Sequence, residues 1–429
     1  MMASRSSRDF FRLIFAGLFL ISFLSTNAAA DDKEKKPLIT QYWMDVATQN
    51  MSIPGMSEEL SGFGGMMGKM TKKPGFGPKR NLLLRLDSPK ALPRDPSATH
   101  DIPPGQKMGD TLPLIIPERE ITKSEHSEES TEQRKIDKPK ARMLIYWGCS
   151  EEVGKGQPRV IDTEKMSVEE FGKAFMTGHT PSPQYPPRPR AGWIYADWPN
   201  RKNSTEVPAD GSLKGDHFIH GNYMSDIKFS IDDTHDFMAP VEFTHIQGTT
   251  LESIRFEWKG IPTATGYFAT AMAHDEKTGE TIFWSSSEVP ETGFALMDYL
   301  SNKDVSKFIR EKVVMNPKIT SCNIPKGIFR DAAGMLQFIA YGDELNVVFP
   351  PKPKDPKQAW NPIWSVKERL KSTGMTALGQ GEGKRVGRQR EKVREEEQSS
   401  ESSESKQQEP EKKPEESPLK KLRKGFLGF

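Results

Sequence analysis

The clearest pattern of apolar and polar positions lies between residues 251 and 289. Ile254, Phe256 and Trp258 alternate with charged residues, and this two-residue period predicts a half-buried strand. Two more strand-like runs follow at 267–274 and 281–289, and the loop between them contains Gly279, a residue suited to the positive φ of a short hairpin loop. The pattern predicts a meander of three antiparallel strands.

Shorter strand-like runs are spread over the rest of the chain. They cover residues 38–47, 81–87, 112–116, 142–147, 160–162, 191–197, 226–231, 241–246, 319–322, 335–341 and 345–349. Helices are predicted at 167–176, where Ser167 and Glu170 form a capping-box pattern, and at 294–300, 305–314 and 360–371. Many short strands and few helices predict a mainly β fold, an antiparallel β-sandwich with a few peripheral helices.

Part of the central meander resembles fibronectin type III and immunoglobulin-like domains. The resemblance rests on Trp258 at a strand end, on Pro262 in the following turn, and on the sequence Ala-Thr-Gly-Tyr at 264–267. It covers about 40 residues. It implies a two-sheet sandwich in which Trp258 is a core residue that packs between the sheets.

The chain also resembles a group of exported bacterial proteins. The residues that carry this second resemblance lie at 42–47, 146–149, 283–288 and 324–329. The group implies export but no particular activity. The long charged C-terminal segment departs from the pattern of that group, so the resemblance implies nothing about the role of this segment.

The N-terminal residues have the pattern of a secretory signal peptide. Three arginines precede an uncharged run at 13–24, and Ala28, Ala29 and Ala30 stand before the first acidic pair. An uncleaved membrane anchor is the alternative, but the apolar run is shorter than the roughly 20 residues that a spanning helix needs. We expect cleavage after Ala30, a periplasmic or secreted protein, and no transmembrane segment after cleavage.

Composition divides the remaining chain into four parts. These are a small β and loop region at 31–117 with a Met- and Gly-rich loop, a charged linker at 118–140, a main sandwich body with a helical insertion at 141–372, and a charged tail at 373–429. The linker and the tail have few apolar residues to bury, which predicts disorder. The formal net charge of +2 gives no indication of a nucleic-acid partner.

The two cysteines, Cys149 and Cys322, are expected to form one disulfide, because an even number of cysteines in an exported chain favours pairing. The alternative is a nucleophilic Cys149 at a strand end, activated by a histidine. The sequence identifies no partner residue for that chemistry.

Two groups of residues are candidate metal ligands. His217, His220 and His235, with Asp233, have the nitrogen and oxygen donors that suit Zn²⁺, although His217 and His220 would point to opposite faces of a strand. Thioethers of the Gly-rich loop suit Cu(I), and these belong to Met56, Met66, Met67 and Met70. The competing interpretations are scattered surface histidines and a flexible apolar loop.

The segment 180–190 contains five prolines and is expected to be extended, as a rigid surface crossing or as a docking ligand for an aromatic groove. No nucleophile elbow, phosphate-binding loop or dinucleotide fingerprint is present in the sequence. We therefore expect a cell-envelope protein that acts by binding an envelope protein or a glycan, with no resident cofactor. The alternatives are a metal-dependent hydrolase that uses residues 217–274, or copper handling by the Met-rich loop.

Overall fold

The computed structural model describes residues 38–52, 77–118, 142–167, 170, 173, 179–330 and 332–378. The strands are β1 (Thr40–Ser52), β2 (Lys79–Ser88), β3 (Ala98–Asp101), β4 (Thr111–Pro113), β5 (Arg142–Trp147), β6 (Arg159–Asp162), β7 (Ile194–Trp198), β8 (Gly215–Gly221), β9 (Ile227–Ile231), β10 (Phe243–Gln247), β11 (Ile254–Trp258), β12 (Gly266–Asp275), β13 (Glu280–Ser285), β14 (Ser321–Ile324), β15 (Gly334–Phe349) and β16 (Trp364–Leu378). Helix α1 is Asn302–Arg310, and single turns of 3₁₀ helix lie at Pro104–Gln106 and Phe294–Leu296. The fold is mainly β, as predicted.

Nine strands form one large sheet in the order β6-β5-β13-β12-β15-β16-β1-β2-β7. Most neighbours are antiparallel, but β1 pairs with β16 and β5 pairs with β13 in parallel. The sheet is therefore mixed, whereas the sequence predicted purely antiparallel pairing. Parallel neighbours need a long connection between them, and here β1 and β16, the first and last described strands, are connected by nearly all of the described chain.

Two smaller sheets pack on one side of the large sheet, which we call its inner face. They have the orders β10-β11-β14 and β4-β3-β8-β9, and all three sheets contribute side chains to a shared apolar core. Trp258 of β11 lies with its ring 5.5 Å from the ring of Tyr267 and 4.7 Å from the ring of Phe338, both on the large sheet. Trp258 is thus a buried residue between two sheets, as the resemblance implied.

The predicted meander is wrong in one respect. Strands β12 and β13 form the expected hairpin, and Gly279 in their loop has a φ of +69°. Strand β11, however, pairs with β10 and β14 in another sheet. The turn at 259–265 carries the chain from one layer to the other. The sheet that β11 joins depends on tertiary packing, which local alternation does not show.

The predicted helix at 360–371 is also wrong, because Trp364–Leu378 forms strand β16. Every second side chain of β16 is buried, and the strand is hydrogen-bonded to β15 on one side and to β1 on the other. Residues such as Lys367 and Leu370 have fair helix propensity, but the two ladders outweigh it. The strand also extends past residue 372, where the charged tail was expected to begin.

The other helix predictions differ in extent. The predicted helix at 305–314 is α1, which begins after Ser301, whose hydroxyl accepts a hydrogen bond from the Asp304 amide. The predicted helix at 294–300 is reduced to one 3₁₀ turn. Both reciprocal bonds of the predicted capping box are present between Ser167 and Glu170. Strands β3 and β8 were not predicted.

The opposite side of the large sheet, its outer face, carries α1 and a smaller apolar cluster that contains Phe268, Ile339 and Phe308.

The signal peptide predicted at 1–30, most of the linker at 118–140 and the tail beyond Leu378 lie outside the described residues. Within the described part of the chain, no helix is long and apolar enough to cross a membrane.

Candidate functional site

The four predicted zinc ligands lie in different places. His217 is buried on β8, where its Nε2 lies 2.7 Å from the Leu213 carbonyl oxygen and its Nδ1 lies 2.8 Å from Nε2 of His100. His220 points to the other face of β8 and lies 3.2 Å from Asp101. The two histidines are thus on opposite faces, as a strand requires.

The remaining two predicted ligands belong to the loop after β9. His235 lies 2.8 Å from the Asp232 carboxylate, and Asp233 pairs with Lys214 at 2.7 Å. No group of three or more His, Cys, Asp or Glu side chains placed to hold a metal ion occurs among the residues that the structure describes. The folded chain does not bring the four predicted ligands together.

His217 instead ends a buried hydrogen-bonded chain that the sequence did not reveal. A carbonyl oxygen only accepts, so His217 donates from Nε2 to Leu213 and accepts at Nδ1 from Nε2 of His100. His100 then accepts at Nδ1 from the Tyr42 hydroxyl at 2.8 Å. Burial lowers the pKa of both histidines, that of His100 well below its usual value, and so favours the two neutral tautomers that this chain requires.

The predicted disulfide between Cys149 and Cys322 is confirmed. It joins the residue two positions after β5, in the large sheet, to β14 in the three-stranded sheet. Both thiols are consumed by this bond, so Cys149 is not a free nucleophile.

The predicted copper ligands Met56, Met66, Met67 and Met70 lie outside the described residues. Three other methionines, Met51, Met297 and Met375, line a pocket of about 510 Å³ on the outer face. Met51 belongs to the predicted Met-rich loop, whereas Met297 and Met375 lie far from that loop in the chain.

A larger pocket of about 790 Å³ lies on the outer face, and we call it the strap pocket. Side chains of β1, β2 and β16 form its floor. The proline-rich segment 179–190, which we call the strap, passes over it as an extended chain. The strap therefore covers part of the outer face of the large sheet.

Hydrogen bonds anchor the strap along its length. The Ser182 amide and hydroxyl both donate to the Asp304 carboxylate of α1, at 3.0 and 2.9 Å. Further along, Arg190 donates to Asp87 of β2 at 2.7 Å. Because proline also restricts the backbone, the strap is held in one conformation above the floor.

An ion triad forms the centre of the floor. The Asp45 carboxylate of β1 accepts from Arg369 Nε of β16 at 2.7 Å and from Arg85 Nη1 of β2 at 2.6 Å. Asp45 and Arg369 are almost completely buried, and Arg85 is mostly so. One carboxylate is thus shared by two guanidinium groups, which lie on the two strands that flank β1.

Arg369 is held from several directions. Its Nη1 donates to Gln184 of the strap at 3.1 Å, and its guanidinium lies 5.1 Å from the Trp43 ring and 4.4 Å from the Tyr299 ring. The Lys371 Nζ atom lies 4.1 Å from the centre of the same Tyr299 ring. Burial raises the pKa of Tyr299, so its phenol stays protonated and uncharged.

Basic residues outnumber acidic ones in the lining of the pocket. Its basic lining residues are Lys79, Arg80, Arg85, Arg369 and Lys371, and its acidic ones are Asp45, Glu206 and Asp298. Three further carboxylates lie nearby without lining the pocket: Asp197 is opposite Arg85 on β7, and Asp210 and Asp236 interact with Arg80. Lys79 is exposed and forms no ion pair with any described residue. The pocket therefore suits a polar, negatively charged ligand.

Sequence reasoning missed this site for an identifiable reason. Asp45, Arg85 and Arg369 are the outward positions of strands whose inward positions form the core, so each looks like an ordinary solvated residue. Arg369 was also placed in a helix. The signal for this site in the sequence was the alternation of apolar and polar positions, which puts a charged residue on the outer face of each of three strands. Only the sheet order shows that these three strands are adjacent.

Comparison with known proteins adds no relative. No protein-family model matches the chain, and no curated protein matches its sequence. The fold and the pocket define the class: a mainly β protein with a strap-covered, positively charged pocket on one sheet face.

Proposed function

We propose that the chain is an exported protein of the cell envelope that acts by binding, and that its ligand enters the strap pocket. The ligand we propose is an acidic glycan, whose carboxylate groups would face Lys79 and the two arginines of the triad. The layered sheets around one core are compatible with the sandwich domains, of fibronectin type III or immunoglobulin type, that the sequence resembles.

One observation carries the proposal: Asp45 is shared by Arg85 and Arg369 at the floor of a pocket that the strap covers. Asp45 is one carboxylate for two guanidinium groups, and although Asp197 also interacts with Arg85, Lys79 adds a further positive charge to the lining of the pocket. An anionic group of a ligand would balance that charge. Fixed donors on rigid strands also reduce the entropy lost on binding.

Isothermal titration tests the proposal. The ligand is a carboxylated oligosaccharide, oligogalacturonate, and the matched neutral ligand is an oligogalactan of equal length. We expect the acidic ligand to bind and the neutral ligand to bind much more weakly. Binding should weaken as salt is added, because the charges that attract the ligand are partly exposed.

The matched variants are Lys79→Gln and Lys90→Gln. Both residues are exposed lysines, but only Lys79 lines the pocket. Lys79→Gln should raise the dissociation constant about fivefold, the effect of one exposed charge pair, and Lys90→Gln should leave it unchanged. Absence of binding by both oligosaccharides, or equal effects of the two variants, would overturn the proposal.

A further inference from the structure

Four large apolar side chains are exposed at one end of the nine-stranded sheet. Leu38 is 72% exposed, Phe349 and Ile363 are each 47% exposed, and Trp360 is 37% exposed. We call these four residues the apolar tip. Single exposed apolar residues are ordinary, but a group of them marks a contact surface.

Backbone pairing places the four residues together. Thr40, two residues after Leu38, pairs with Trp364, and the Thr40 amide donates to the Ile363 carbonyl at 3.1 Å. The Ile363 amide in turn donates to the Phe349 carbonyl at 2.7 Å. The start of β1, the end of β15 and the start of β16 therefore meet at the tip.

The tip is held in place rather than folded back onto the core. Phe349 stacks on the buried Trp364 with ring centroids 5.3 Å apart, which leaves its other face to solvent. The Trp360 indole donates to the Pro350 carbonyl at 2.9 Å. Prolines at 350, 351, 353 and 356 restrict the loop that joins β15 to β16.

The same loop is basic. Lys352, Lys354 and Lys357 are exposed, and Asp355 is the one acidic residue between Phe349 and Trp364. None of the three lysines forms an ion pair with a described residue. The Lys352 ammonium lies 5.8 Å from the Trp360 ring, so charge and apolar surface are next to each other.

We propose that the apolar tip and its three lysines attach the protein to the surface of an anionic lipid bilayer. Trp360, Phe349, Ile363 and Leu38 would enter the boundary between headgroups and acyl chains, where tryptophan is favoured. The lysines would contact lipid phosphates, since basic residues near such a surface are attracted to it. This inference is independent of the ligand of the strap pocket.

The combination distinguishes a bilayer from other partners. A protein interface core is depleted in lysine, whereas interfacial membrane segments place lysine beside exposed aromatic and aliphatic groups. A soluble polyanion would use the lysines but would gain nothing from Leu38 or Ile363. The charge complementarity and the exposed apolar groups together select the lipid surface.

Vesicle co-sedimentation tests the proposal with the chain from Asp31 to Phe429, which retains every described residue. The vesicles contain phosphatidylcholine alone, or phosphatidylcholine with phosphatidylglycerol. We expect binding to the anionic vesicles and little binding to the neutral ones. The charged tail is identical in every variant, so differences between variants report on the tip.

Two variants and two matched controls separate the contributions. The double variant Trp360→Ser with Ile363→Ser should weaken binding to anionic vesicles about tenfold, because it removes two inserted apolar groups. Its control is Leu251→Ser, an exposed leucine elsewhere. The triple variant of Lys352, Lys354 and Lys357 to Glu should abolish the preference for anionic vesicles. Its control changes Lys155, Lys303 and Lys318 to Glu, which alters net charge equally.

Thermal unfolding of each variant shows whether it is folded. The proposal is overturned if the wild-type chain does not bind anionic vesicles, or if the control triple variant loses as much binding as the tip variant. It is also overturned if heparin in solution displaces the vesicles while the Trp360 and Ile363 double variant binds normally, because the tip would then be a polyanion site only.

Discussion

Asp45 and Arg369 are 324 positions apart in the chain, yet their side chains form an ion pair with Oδ1 and Nε 2.7 Å apart. They lie on β1 and β16, parallel neighbours within the large sheet. The contact joins the first and last described strands and also forms the centre of the strap pocket. Stability and the candidate site therefore depend on the same residues.

Asp45→Asn should destabilise the fold by about 3 kcal/mol, because it leaves two largely buried guanidinium groups without their shared carboxylate. Urea unfolding followed by tryptophan fluorescence measures this as a lower midpoint at an unchanged slope.

The matched control for that variant is Asp298→Asn. Asp298 pairs with Lys371 at the rim of the same pocket, but it is 73% exposed. Its loss should cost less than about 1 kcal/mol, since exposed ion pairs contribute little. Equal destabilisation by the two variants would contradict the role assigned to the triad.

Glu368→Gln should stabilise the protein at neutral pH by about 1 to 3 kcal/mol. Glu368 is fully buried on the inner face of β16, and neither carboxyl oxygen has a hydrogen-bond partner among the described residues. Burial raises the pKa of Glu368 well above its usual value, and the charges of Asp236 and Asp232 raise it further. The neutral amide of glutamine does not require a proton to remain buried.

The sign of the pH effect follows from proton binding. Above the ordinary glutamate pKa of about 4.3 the unfolded chain loses this proton while the native state keeps it. The contribution of Glu368 to stability is therefore fully present below that pH and is lost as pH rises toward the raised native pKa. The urea midpoint of Glu368→Gln should exceed that of the wild type by an amount that grows as pH rises from about 4.5 to 8. The control, Glu288→Gln at an exposed position, should behave as the wild type does.

His100→Gln should reduce the loss of stability in acid. Glutamine keeps one donor and one acceptor for the contacts with His217 and Tyr42, but it does not titrate in this range. Burial lowers the pKa of His100. As pH falls below about 6.5, His100 therefore binds a proton in the unfolded chain but not in the native state. This contribution to stability is present above about pH 6.5 and is lost as pH falls.

Thermal unfolding between about pH 7.5 and 5 measures the effect of that substitution. The His100→Gln midpoint should rise relative to the wild-type midpoint as pH falls through this range. The exposed His274→Gln serves as the control and should follow the wild type. A His100→Gln variant with unaltered acid sensitivity would show that the buried chain does not contribute to it.

Local pattern alone determined much of the secondary structure. The alternation at Ile254–Trp258, the boundaries of Arg142–Trp147 and the positive φ of Gly279 depend on neighbours within a few residues, and each was predicted from the sequence. The disulfide was predicted because two cysteines in a chain expected to be exported favour pairing, and the bond is present.

Tertiary structure decided which strands are neighbours. Trp364–Leu378 became a strand, and β11 left the predicted meander, because the hydrogen-bonding partners of both lie far away in the chain. The same long-range pairing brought together Asp45, Arg85 and Arg369, separated the predicted metal ligands, and exposed the apolar tip. A sequence pattern gives the face of the strand on which a residue lies, but sheet order and register set its neighbours. The native sheet order and register are those that minimise the free energy of the whole chain rather than of any one segment.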